Sequence, residues 1–151
     1  MENNNYQKFE VRDENPSCKD VPFPKFRRFE EVIKGWGKEV VLASFKEYCG
    51  KLLCFNKGAL ISGHQHLEKH ESFAIFRGSF EFYYFDYKTA QQYKSILTEG
   101  DIVDIPRGTL HQLKALEDSI IIEVSTEDKA SDSYRVFPGD SQNSQPTNNA
   151  V

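Results

Sequence analysis

His64, His66, Glu71 and His111 are the residues of this sequence whose types and spacing could hold a metal ion, and they include three of its four histidines. His64 and His66 are two apart, so on an extended strand both imidazoles leave the same face and reach one point in space. Glu71 follows five residues after His66, far enough for the chain to turn and offer a carboxylate to that point from a neighbouring strand. His111 lies in a second, later segment. Three imidazoles and one carboxylate form a mixed nitrogen and oxygen set that suits one divalent first-row transition metal, with Zn, Mn, Fe and Ni as the candidates.

The two segments are punctuated by glycine. The first, from Gly58 to Gly78, reads G-x(5)-H-x-H-x(4)-E-x(6)-G; the second, from Gly100 to His111, reads G-x(5)-P-x-G-x(2)-H. Together they resemble the two motifs of the cupin superfamily. Gly58, His64, His66, Glu71 and Gly78 fill the first motif, and Gly100, Pro106, Gly108 and His111 fill the second. Ala115 stands where the family pattern often has Asn. That Asn is not a metal ligand in the family, so the departure leaves the implied site intact.

The elements that must position these residues read as short strands. Segments 39–45, 48–55, 71–76, 79–86, 92–97, 101–105, 109–115 and 119–125 are rich in Val, Ile, Leu, Phe and Tyr and are bounded by Gly, Pro or Asn. In the segment from Ser79 to Asp86, Phe80, Phe82 and Tyr84 share one face while Glu81, Tyr83 and Phe85 share the other, which predicts cover on both sides. From Phe26 to Ile33 the pattern allows a strand or one helical turn, and Gly35-Trp36-Gly37 then forces a bend, with Trp36 expected to pack at the rim. At least eight short strands without a long helical pattern predict an all-β antiparallel sandwich or barrel. The cupin resemblance implies which one: a single-domain double-stranded β-helix, the jelly-roll barrel.

Length and charge bound the remaining classes. A chain of 151 residues fits one domain. We read residues 1–22 as an extended N-terminal arm, 23–140 as the barrel domain and 141–151 as a disordered tail, because both ends are polar and aperiodic. The net charge of −4 and the scattered Lys and Arg exclude a nucleic-acid surface. No stretch approaches the ~20 apolar residues of a membrane span or the core of a secretory signal, so a cytoplasmic protein is expected. Cys18, Cys49 and Cys54 are odd in number and form no C-x-x-C pair, and are read as reduced thiols. Strand edges that need cover predict a homodimer.

A narrower resemblance covers residues 34 to about 138. Tyr48-Cys49-Gly50-Lys51, Ile122-Glu123-Val124 and Asp132-Ser133-Tyr134-Arg135 are similar to segments of the type II phosphomannose isomerases. In that family a run of histidines followed by Arg stands where this chain has His66-Leu67-Glu68-Lys69, and Gln commonly replaces His64. The resemblance implies aldose to ketose interconversion of a sugar or sugar phosphate through an enediolate, with Lys51 contacting the sugar. On the residues alone, Glu123 is either a solvated glutamate or a proton carrier, and Lys51 either a surface lysine or a catalytic one. Arg135 either clamps a phosphate or pairs with Asp132 or Asp140. His70 precedes Glu71 and so points to the opposite strand face; if the register bends there, it becomes a third catalytic candidate. Two other classes keep the same metal set: an Fe(II)-dependent cupin dioxygenase and a non-catalytic sugar-binding module.

Overall fold

Strands form where apolar residues alternate with polar ones, and the computed structural model describes residues 25–143. The expected arm, residues 1–22, and residues 144–151 of the expected tail lie outside the described residues, as does Cys18. In chain order the strands are β1 (Glu30–Lys34), β2 (Gly37–Ser44), β3 (Cys49–Phe55), β4 (Gly63–Gln65), β5 (Glu71–Arg77) and β6 (Ser79–Asp86). They continue as β7 (Gln91–Thr98), β8 (Ile102–Ile105), β9 (His111–Ala115), β10 (Ser119–Ser125) and β11 (Tyr134–Phe137). A 3-10 turn at Ala130–Asp132 and one helical turn, α1 (Asp140–Asn143), complete the described chain. The open choice at 26–33 thus resolves as strand β1. Residues 141–143, expected in the tail, belong to α1, where the Ser141 hydroxyl accepts a hydrogen bond from the Gly35 N–H at 3.0 Å.

Two antiparallel sheets face each other, as the jelly roll requires. One has the order β1-β2-β3-β10-β5-β8 and the other β11-β4-β9-β6-β7. Their inner faces meet in an apolar core of Leu53, Phe55, Phe73, Ile75, Phe80, Phe82, Leu113 and Ile121. Burying each such side chain contributes about 1.5–3 kcal/mol. Trp36 is part of this core rather than its rim: it is 7% exposed and stacks on Phe55 with centroids 4.5 Å apart. The strand β6 is covered more completely on one side than on the other, where Phe85 packs against Phe137 with ring centroids 5.4 Å apart. Phe80 and Phe82 are buried, whereas Tyr83 is partly exposed and donates its hydroxyl to Glu81, which also pairs with Lys94.

Register carries the polar residues inward at one end of the core. In the six-stranded sheet Glu123 lies between Lys51 on β3 and Phe73 on β5, and one row further Ser125 lies between Cys49 and Glu71. In the facing sheet His64 pairs with His111, and Arg135 of β11 pairs with His64. Two motif glycines make this arrangement close. Gly78, at φ +85°, turns β5 into β6 where a Cβ would stand 2.1 Å from the Ser119 hydroxyl. Gly108, at φ +79°, brings its N–H to the His66 carbonyl at 2.6 Å.

Candidate metal centre and the cavity around it

The four residues singled out by spacing come together between the sheets. One ligand atom each from His64, His66 and Glu71 lies within 4.8 Å of the others. His111, fully enclosed, places Nε2 at 3.2 Å from Glu71 Oε1, and His66 Nε2 stands 3.9 Å from the same oxygen. Each imidazole is oriented by a backbone carbonyl: Nδ1 of His64, His66 and His111 meets the oxygens of Ser62, Asp132 and Thr109 at 2.8, 2.8 and 2.9 Å. A carbonyl only accepts, so Nδ1 carries the proton in all three rings and Nε2 keeps its lone pair. That tautomer is the one a metal needs, fixed by the partner of the other nitrogen.

Electrostatics keep these groups in ligand form. Burial, with the neighbouring His111 ring, lowers His64 to a pKa of about 3, so its imidazole is neutral. Burial also lowers His66, and Lys69 adds to the effect. Burial would raise the Glu71 carboxyl, but the Lys69 ammonium 2.8 Å from Oε2 opposes it, and the group is held well below the usual carboxylate range. Glu71 Oε1 and His111 Nε2 are both enclosed, and neither makes a hydrogen bond. Buried polar atoms left without partners cost about 1–3 kcal/mol each. A cation bound between them removes that cost, so the donor set fits a divalent metal.

The arrangement of sheets has known counterparts. KdgF from Halomonas sp. superposes with a TM-score of 0.59 at 22% identity, over 70% of this chain and 90% of that one. Oxalate decarboxylase from Bacillus subtilis superposes with a TM-score of 0.62 at 18% identity, over 72% of this chain and 30% of that one. The chain has the cupin fold. CapF, the capsular polysaccharide assembling protein of Staphylococcus aureus, shares it with a TM-score of 0.62 at 17% identity, over 81% of this chain and 35% of that one. The Bacillus oxalate decarboxylase is described as having Mn(II) centres. No protein-family model matches the sequence, and no curated protein matches it.

In this cupin three of the metal-ligand candidates, His64, His66 and Glu71, border a cavity of about 340 Å³ that is also lined by Lys51, Lys69, Glu123, Asp128 and Arg135. Such a volume falls at the small end of ligand pockets, roughly 300–1,000 Å³. Glu123 is on the inner face of β10, 4% exposed, and its Oε1 lies 2.6 Å from the Lys69 Nζ. Burial raises its carboxyl above the ordinary range, with Lys69 pulling the other way. Lys51, likewise buried, sets Nζ 2.6 Å from Asp128 Oδ2 and 3.6 Å from Glu39 Oε2. Arg135 lines the mouth; it forms no ion pair with a described residue, and its guanidinium donates only to the Ser133 carbonyl at 3.5 Å. The alternative of a salt bridge with Asp132 or Asp140 is therefore not formed. His70 is exposed and outside the cavity lining, because the register does not bend and alternation sends it outward.

Two residues of the site escaped the sequence reading. Lys69, 4% exposed, reaches Glu71 Oε2 at 2.8 Å, Glu123 Oε1 at 2.6 Å and Asp128 Oδ1 at 3.3 Å. Burial would lower its ammonium, yet Glu123, Glu71 and Asp128 outweigh burial and raise it. Asp132, on the 3-10 turn, accepts backbone N–H bonds from Leu67, Glu68 and Lys69 at 2.9–3.1 Å, while its own carbonyl holds His66. It ties the loop between β4 and β5 at both ends. The only sequence signal for Lys69 was its place between two motif residues; Asp132 belongs to the Asp-x-x-Arg segment.

Proposed function

We propose that this protein is a metal-dependent cupin isomerase that interconverts an aldose and a ketose, with a sugar phosphate as its substrate class. The observation that carries the reading is the buried carboxylate Glu123 in the same cavity as the metal ligands, one ammonium away from Glu71. His64, His66, Glu71 and His111 would hold the ion. A divalent ion there supplies Lewis-acid stabilisation of the charge a carbonyl oxygen gains when the adjacent carbon loses its proton. Glu123 carries that proton between neighbouring carbons; a carboxyl raised by burial is a better base near neutral pH than a solvated one. Lys51 faces the same space and contacts a sugar oxygen.

Charge supports an anionic substrate. Lys34, Lys51, Lys69, Lys129 and Arg135 line the cavity against Glu39, Glu71, Glu123 and Asp128, and a bound divalent ion adds two further positive charges. Arg135, with no carboxylate partner among the described residues, is the group that clamps a phosphate. Metal analysis followed by a screen of aldoses, ketoses and their phosphates in deuterated water tests the reading. Isomer formation with solvent deuterium at the carbon next to the carbonyl is expected, and Glu123→Gln should lower kcat about 100- to 10,000-fold with metal retained. Oxygen consumption without isomer replaces the reading with the Fe(II) dioxygenase; tight sugar binding without turnover replaces it with a binding module.

The same proposal includes a homodimer in the cytoplasm. Ile33, Phe76, Ile102 and Val124 are 58–77% exposed on the six-stranded sheet, an apolar surface that a second copy would cover. Light scattering that gives a monomer at high concentration removes this part. No helix among the described residues is long and apolar enough to cross a membrane.

A further inference from the structure

A lysine is rarely enclosed unless paired, and Lys69 is paired three times over. Its backbone N–H is fixed by Asp132 Oδ2 at 2.9 Å and its ammonium by Glu123 Oε1 at 2.6 Å, so both root and tip of the side chain are held. The consequence falls on Glu71, whose two oxygens stand in different surroundings. Oε2 accepts from the Lys69 ammonium at 2.8 Å, whereas Oε1 has no hydrogen bond and faces Nε2 of His111 and of His66.

We propose that Lys69 is the positioning residue of the metal centre: by occupying Oε2 of Glu71 it presents Oε1 alone to the ion and keeps this ligand monodentate. The proposal rests on the metal-cupin reading above. A carboxylate that grips an ion with both oxygens rotates to bring Oε2 to it, which draws that oxygen off its present line to the ammonium. That would break a charge-assisted hydrogen bond, roughly twice as strong as a neutral one, and bring the ammonium no compensating partner. Mutual repulsion of ion and ammonium acts in the same direction, since a second metal–oxygen bond draws the ion toward Oε2. Restricting Glu71 to one bond leaves coordination positions open, and an isomerase needs two for the carbonyl and the neighbouring hydroxyl of its substrate.

Co(II) is the probe, because its visible spectrum reports the type and geometry of its ligands. The full chain and Lys69→Met are each titrated with Co(II), with circular dichroism to verify folding. The expected result is one Co(II) per chain in both proteins and a visible spectrum that differs between them, as Glu71 becomes bidentate in Lys69→Met and displaces a solvent ligand. A Lys69→Met spectrum identical to wild type overturns the proposal while leaving the metal-cupin reading in place. A wild-type chain that takes up no Co(II) overturns both. If Lys69→Met does not fold, nitrogen NMR of the wild-type lysine ammonium groups decides. A scalar coupling from Lys69 Nζ across the hydrogen bond to the Glu71 carboxylate carbon that persists after Zn(II) is added supports the proposal, and its loss overturns it.

Discussion

Replacing Asp132 by Ala isolates how much one carboxylate contributes to the loop that carries His66 and Lys69. The side chain is 4% exposed and accepts from three successive backbone N–H groups. In the variant the Lys69 N–H, which is buried, is left without a partner at a cost of about 1–3 kcal/mol, while those of Leu67 and Glu68 are near solvent and lose only about 0.5–1.5 kcal/mol each. The total is about 2–6 kcal/mol, with a midpoint near 4, which for a chain of this size lowers Tm by about 10 °C. Thermal unfolding of the metal-free protein followed by circular dichroism measures it. Asp132→Asn should recover less than half, because one oxygen becomes an N–H donor aimed at another donor. Despite burial, the three N–H groups lower the Asp132 carboxyl, so its contribution is present above the unfolded carboxyl pKa and fades as pH falls through the folded value. The gap between wild type and Asp132→Ala must therefore narrow below about pH 4. A Tm within about 2 °C of wild type at neutral pH would refute the reasoning, because the three bonds would then contribute under 1 kcal/mol.

Other consequences are as direct. His66→Ala and His111→Ala should each strip the metal, measured by elemental analysis; full metal content in both would sink the ligand assignment. The metal-free protein should lose stability as pH falls from about 6.5 toward 3, since His64 must stay neutral when folded but takes a proton when unfolded, and His64→Gln should flatten that slope in Tm-versus-pH curves. Arg135→Ala should raise KM for a phosphosugar more than for the free sugar, with kcat little changed; equal effects on both would remove the anion clamp.

Much of the fold could be read from alternation. The strands at Ser79–Asp86 and Ser119–Ser125 fall where the apolar pattern predicts, and others differ by one or two residues at their ends. The strand β4 could not be read this way, since three residues give no period, although it carries His64. The convergence of His64, His66 and Glu71 followed from side-chain alternation and motif spacing, which are local properties. Lys69 and Asp132 lacked such a signal because their role is set by a contact across 63 residues of sequence. Glu123 was ambiguous for a related reason: alternation gave its strand two faces but could not say which one β3 and β5 turn toward the cavity.

The position of β10 between β3 and β5 has a consequence for the newborn chain. All four metal-ligand candidates have been polymerised by residue 111, yet the strand that joins the two halves of their sheet spans 119–125, and β11, which covers β4, comes later still. The ligand candidates are thus made before the strands that enclose them. Long-range pairings of this kind are also the slow ones to form. Only the closed barrel fixes the spacing of the four candidates, so any discrimination between ions would belong to the folded chain and not to its growing precursor.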